Sequence, residues 1–306
     1  MFGLIATLSL LVVGAQPQAD SFSHNFAQNS MLPLAAAAYS DNPGACVRNR
    51  FGRNAKVEVV RFYKTNCNGP INIGKVYCVA YTALLHGKEK AIVLSFRGTE
   101  DGWQLSKQLF HPLLSKEWFG GASVNTYFLH SFNSVFHTRM NRLTRSSMYE
   151  DARELIRKYP TYDIWITGHS LGGALASLAA SYLLETGTAP RSKTKLITFG
   201  QPRTGDGIFA ERLNNKIDYA FRVIHDNDMV PHIPPNLPTL FGKLRYHHHK
   251  KEVYYGRNMR NGFKVCNTEN DSSCSGRYSF LRTIDVNEEA RQFSWKLVRR
   301  KETEPR

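Results

Sequence analysis

The chain has 306 residues, 42% of them apolar, enough to bury a full-sized core in one large α/β domain or two smaller ones. Its formal net charge of +15 suits an anionic partner, a membrane surface or an acidic glycan. The basic residues are nevertheless scattered, with no aromatic-interleaved cluster and no nucleic-acid module, which argues against a nucleic-acid partner and leaves solvated surface charge as the ordinary reading.

Residues 1–15 carry an apolar run, 4–13, followed by the small-residue site Val13-Gly14-Ala15, with a second option at Ala19. The run is too short to span a bilayer and reads as a secretory signal peptide. No other stretch reads as a membrane span, so the expectation is a soluble, secreted mature protein. Five cysteines then belong to an oxidising compartment. Proximity pairs Cys67 with Cys78 and Cys266 with Cys274 and leaves Cys46 alone, an anomaly in a secreted chain. Asn270-Asp271-Ser272 is a glycosylation sequon suited to a surface loop.

In chain order, residues 31–40, with Pro33 and an alanine run, suggest a short amphipathic helix. Residues 57–63 and 76–85 read as strands, rich in Val, Ile and aromatics. Gly87-Lys88-Glu89-Lys90 looks like a hairpin turn into residues 91–96, a continuously apolar strand buried on both faces. Residues 100–119 are irregular and aromatic-bearing, either a flap or a packed surface helix. Ser147-Met148-Tyr149-Glu150 is a capping box opening a helix that puts Met148, Ala152, Leu155, Ile156 and Tyr159 on one face and stops at Pro160.

The stretch that organises the rest is residues 162–176. A short apolar strand meets Gly168-His169-Ser170-Leu171-Gly172, and an Ala/Leu-rich helix follows to about Glu185. Strand, G-x-S-x-G turn and helix form the context of a hydrolase nucleophile elbow. A serine at such a turn is forced into strained dihedrals, and the helix N-terminus aims unpaired N–H groups at a developing oxyanion. A strand at 195–199, a helix at 206–214 and a strand at 219–224 continue the alternation of a mainly parallel sheet. Just past that last strand stand Asp226 and Asp228. Ligands bind outside the carboxyl ends of such strands, so either acid is placed to be the second member of a triad, or simply to cap the turn.

These residues together resemble the fungal-type, class 3 lipase family of α/β-hydrolases. The matching blocks are Pro33-Leu34-Ala35-Ala36-Ala37-Ala38-Tyr39, Ser95-Phe96-Arg97-Gly98-Thr99, Thr167 through Ala174, Thr198-Phe199-Gly200-Gln201-Pro202-Arg203, Asp228-Met229-Val230-Pro231-His232 and Tyr246-His247-His248. The resemblance implies an α/β-hydrolase domain over about 31–280, a mainly parallel central sheet flanked by helices. It implies Ser170 as nucleophile, Asp228 as triad acid with Asp226 a loop acid, and an oxyanion hole from Thr99 and the Leu171 amide. It implies a lid helix near 101–110, a lipid or ester substrate met at an interface, and no cofactor or metal.

One departure bears on activity. The family places its histidine near the C-terminus, yet no histidine follows His249, and residues 281–306 form a charged tail instead. His169 sits in the elbow, where neighbouring side chains point apart, and His232 follows Asp228 too closely to bridge it to Ser170 easily. His247, His248 and His249 are in the right order, but the resemblance gives their block no catalytic role. Three adjacent residues in a strand cannot all face one ion. The resemblance also implies a late cysteine partner for Cys46, so a changed 3′ end would account for both losses. Two expectations follow: a secreted ester hydrolase with an atypical C-terminus, or a non-catalytic lipase-like protein that binds lipid.

Overall fold

Among the described residues the apolar runs of the sequence assemble into one eight-stranded sheet with helices on both faces. The computed structural model describes residues 21–52, 56–67, 77–99, 114–138, 146–235 and 245–278. The expected signal peptide, the expected lid segment at 101–110 and the charged tail at 281–306 lie outside the described residues.

The chain enters through α1 (His24–Phe26), a π-helical stretch (Ala27–Met31) and α2 (Leu32–Ala37), so the helix expected at 31–40 starts one turn and more earlier. After α3 (Pro43–Phe51) come β1 (Val57–Asn66), β2 (Tyr77–Leu85) and β3 (Ala91–Phe96). A two-stranded ribbon, β4 (Ser115–Glu117) and β5 (Ser123–Asn125), leads into α4 (Thr126–Phe136). α5 (Met148–Lys158) opens with the reciprocal Ser147 and Glu150 capping box expected from sequence. It is followed by β6 (Asp163–His169) and α6 (Leu171–Glu185). β7 (Thr194–Phe199), α7 (Gly207–Lys216) and β8 (Tyr219–His225) continue the alternation. β9 (Glu252–Tyr255) and β10 (Lys264–Cys266) close the far edge.

The strand order is β1-β2-β3-β6-β7-β8-β9-β10. β1, β2 and β3 pair antiparallel, in keeping with the hairpin expected at residues 87–90, while β3 through β9 run parallel and β10 turns back. The parallel core strands are buried on both faces, and their side chains divide strictly by pleat. Ile92, Leu94, Phe96, Ile164 and Ile166 pack on the side of α4, α5 and α6. Val93, Trp165, Ile197 and Phe221 pack on the opposite side against the N-terminal helices. α6 lies wholly inside the first of these layers, with thirteen of its fifteen residues buried, which is why it is apolar all round rather than amphipathic.

Both disulfides expected from proximity are present, Cys67–Cys78 and Cys266–Cys274, and Cys46 is a free, half-buried thiol. Among the described residues no helix is long and apolar enough to cross a membrane.

Candidate active site

Ser170 stands between the end of β6 and the start of α6, at the carboxyl edge of the parallel strands. Its backbone takes φ 56°, ψ −127°, a left-handed conformation that L side chains rarely adopt and that is held here by its surroundings. Ser170 N–H donates to Phe199 O on β7 at 2.9 Å, and Gly173 N–H donates to Ser170 O at 2.8 Å. The turn is therefore pinned to the neighbouring strand on one side and to its own helix on the other. The side chain is almost fully enclosed, 4% exposed.

The Arg97-Gly98-Thr99 loop, leaving β3, lies directly against this turn. A Cβ on Gly98 would fall 2.5 Å from His169 O and 3.0 Å from Ser170 Cβ, so only glycine allows the approach. The contact is tied by Tyr39, which the sequence marks only as the end of a matching block. Gly98 N–H donates to Tyr39 Oη at 3.1 Å, and that hydroxyl in turn pairs with His169 Nδ1 at 2.8 Å. The Tyr39 hydroxyl can accept from Gly98 and still either give its proton to Nδ1 or accept one from it, so the tautomer of His169 sets the direction of that bond. Burial pushes the His169 pKa down to about 4, so the ring that Tyr39 holds is neutral at pH 7. Thr99 Oγ1, one of the two groups expected to line the oxyanion hole, is buried and has no protein partner. Leu171 begins α6, so its amide belongs to the unsatisfied first turn of that helix.

Asp228 follows β8. Its backbone N–H donates to His225 O at 3.1 Å, and one carboxylate oxygen accepts Val230 N–H at 3.0 Å. The other oxygen packs on Gly200, where a Cβ would come within 2.7 Å of Oδ2; Gly200 also has φ 54°. Glycine in the Phe199-Gly200-Gln201 turn thus makes room for the acid beside the elbow. Enclosure by protein raises the Asp228 pKa to about 6, and the Val230 amide offsets only part of this. Asp226 is elsewhere. Tyr278 Oη–H donates to its carboxylate at 3.1 Å and Arg257 stands 3.7 Å away, the surroundings of a loop acid.

None of the candidate histidines is hydrogen-bonded to Ser170 or Asp228 among the described residues. His247 pairs with Glu269 at 2.7 Å. His248 Nε2–H donates to Pro231 O at 2.7 Å, and His249 Nε2 lies 3.3 Å from Gln201 Oε1. The three therefore point to three different partners, in a segment joined to the body by a single β-bridge at His247 rather than lying in a strand. His232 is buried in a 3-10 turn with Nε2 unpartnered. Burial, together with Arg203 and Arg222, lowers the His232 pKa to about 4. Among the described residues no cluster of His, Cys, Asp or Glu could hold a metal ion.

Behind the acid lies a buried ionic network that the sequence does not announce. Arg222, 1% exposed, donates through Nε to His249 O and pairs with Glu252 at 3.4 Å. Glu252 also accepts Ser275 N–H at 2.8 Å. Arg203 pairs with Glu269 at 3.1 Å and donates to Pro234 O at 3.0 Å, bracing the segment that follows Asp228. The partners are separated by 30 and 66 residues, so no local signal could have joined them.

The family model for Lipase (class 3) matches residues 93–237. Lipase ZK262.3 of Caenorhabditis elegans is 30% identical over 267 residues, covering 80% of this chain and 71% of that one. The lipase of Rhizomucor miehei is 34% identical over 191 residues, 61% of this chain and 48% of that one, so the chain spans about half of this fungal relative. Among solved structures, lipase II from Rhizopus niveus superposes with a TM-score of 0.66 at 23% identity, over 85% of this chain and 91% of that chain; at that identity the likeness speaks to the fold.

Proposed function

This chain belongs to the class 3 lipase family and has the α/β-hydrolase fold, and from that premise we propose that it is a secreted, lipase-like serine ester hydrolase whose catalytic histidine is missing. Its substrates are acylglycerols or related carboxylic esters met at a lipid surface. The observation that carries the reading is the strained, enclosed Ser170 with the Gly98–Thr99 loop pressed against it.

In this reading Ser170 Oγ attacks the ester carbonyl. The Leu171 N–H and the buried Thr99 hydroxyl donate to the oxyanion, and water later releases the acyl group from the serine. With no described histidine at hand the serine proton passes to water, or to imidazole where that is added, and the Asp228 carboxylate stabilises the cation that forms. No described histidine is hydrogen-bonded to Asp228, so turnover by this chain is slow. In the serine protease subtilisin, loss of the histidine costs roughly 10⁶ in turnover, and an intact oxyanion hole and binding site retain roughly 10³–10⁴ over water.

The test is hydrolysis of a chromogenic short-chain ester by the 306-residue chain and by Ser170→Ala, each with and without added imidazole. A rate above Ser170→Ala that imidazole raises further supports a serine site lacking its base. Equal rates for both proteins under both conditions would overturn the hydrolase reading. That result favours a second one, a lipase-like protein that binds lipid without turning it over. The second reading rests on the Asp228 carboxylate, which accepts its hydrogen bond from a backbone amide and not from an imidazole.

A further inference from the structure

Asn270-Asp271-Ser272 is the one Asn-x-Ser/Thr triplet with a non-proline centre in the chain. The fold holds it firmly. It sits in the loop closed by the Cys266–Cys274 disulfide. On one side of it Glu269 is held by Arg203, His247 and the His248 N–H; on the other, Ser275 N–H is held by Glu252. Asn270 itself takes φ 60°, a conformation that asparagine tolerates better than most residues. Gly276 packs so closely on the Asn270 backbone that a Cβ there would lie 2.2 Å from its carbonyl carbon.

The orientation of the Asn270 amide follows from donor chemistry. Arg203 Nη2 lies 3.3 Å from its Oδ1, and a guanidinium has donors only, so the amide must turn its oxygen to Arg203. Nδ2 is then left on the other side, on a residue exposed to solvent. Ser272, whose hydroxyl completes the triplet, is exposed as well.

We infer that Asn270 is an N-glycan acceptor whose amide nitrogen is presented outward from a rigid loop, beside the Arg203 brace of the Asp228 segment. The donor is an oligosaccharide carried on a lipid diphosphate, transferred by the enzyme of the secretory pathway. Nδ2 forms a bond to the anomeric carbon as the bond from that carbon to the phosphate oxygen breaks. The lipid diphosphate leaves with the electron pair, and the amide loses one proton to a base of the transferase. Oδ1 keeps its bond to Arg203, so the sugar leaves the folded loop undisturbed. The inference rests on entry into the secretory pathway, which is part of the proposed function.

The test separates the two. The full chain is translated in the presence of endoplasmic-reticulum microsomes, once as it stands and once with a heterologous secretion leader ahead of Met1. Protection from added protease reads translocation; one step of reduced gel mobility, reversed by an amidase that removes N-glycans, reads the sugar. The expected result is one step in the protected protein, lost in Asn270→Gln and in Ser272→Ala. Ser272→Ala keeps the Asn270–Arg203 bond, so loss of the step there cannot be blamed on a disrupted loop. Protected protein with no step, under either leader, overturns the inference. A step seen only with the added leader keeps Asn270 as an acceptor and sinks the secretory reading instead.

Discussion

Acidification from pH 7 to pH 5 should destabilise this fold through its buried histidines. His232 and His249 are 5% and 1% exposed. Burial, then the nearby arginines, lowers them from 6.5 to about 4 and about 3. A histidine whose folded pKa lies below its unfolded value refuses a proton that the unfolded chain accepts. Stability therefore starts to fall as the pH drops through 6.5 and keeps falling until the folded pKa is reached. Over the interval from pH 7 to pH 5 each of the two costs about 2 kcal/mol. His248, buried beside Arg222 and Arg203, and His169 act in the same direction. Asp228 opposes them. Its raised pKa means that the folded protein takes up a proton near pH 6, returning about 1 kcal/mol over the same interval. The net loss from His232, His249 and Asp228 alone is about 3 kcal/mol, which at a urea m-value of about 3 kcal/mol/M lowers the midpoint by about 1 M. Urea titrations followed by tryptophan fluorescence at pH 7, 6 and 5, at fixed ionic strength, read this directly. His232→Gln should show a visibly shallower dependence than the parent chain. A midpoint that is level or higher at pH 5 would refute the reasoning.

Asp228→Asn should stabilise the protein at pH 7, by on the order of 1–2 kcal/mol after discounting the partial exposure of the site, because it removes a carboxylate whose pKa is raised to about 6. The gain should shrink as the pH falls from 6 toward 3.8 and vanish below that, where Asp228 is protonated in the folded and the unfolded chain alike, so thermal melts should show it cut to about a third between pH 7 and pH 4.5. Arg222→Met leaves Glu252 buried without its cation and should cost about 3–5 kcal/mol; adding Glu252→Gln should recover part of that in a double-mutant cycle of urea midpoints. Tyr39→Phe strands the Gly98 N–H and His169 Nδ1 and should cost about 1–3 kcal/mol in the same assay, with any Ser170-dependent ester hydrolysis falling alongside.

What can be read from the sequence is whatever repeats locally. The continuous burial of β3, the capping box of α5 and the turn at Ser170 each depend on neighbours within a few residues, and each stands as expected. The two disulfides yield to the same kind of reasoning, since their loops are short. What cannot be read depends on contacts between distant segments. Tyr39 reaches across 130 residues to His169, and Arg203 across 66 to Glu269. In sequence they look like the end of an alanine run and an ordinary turn. The acids show where the border lies. Asp226 and Asp228 are two residues apart and equally placed after β8, so position alone leaves both open, and it takes the resemblance to select Asp228. In the structure the difference is geometric: Asp226 turns toward Tyr278, while Asp228 turns onto the bare Gly200 backbone beside the elbow. Asp228 carries a raised pKa because burial is not answered by a neighbouring cation, and an imidazolium there would reverse that shift. The raised pKa of Asp228 and the lack of a hydrogen-bonded imidazole among the described residues are thus two sides of one arrangement, a carboxylate enclosed by protein and met by a single backbone amide.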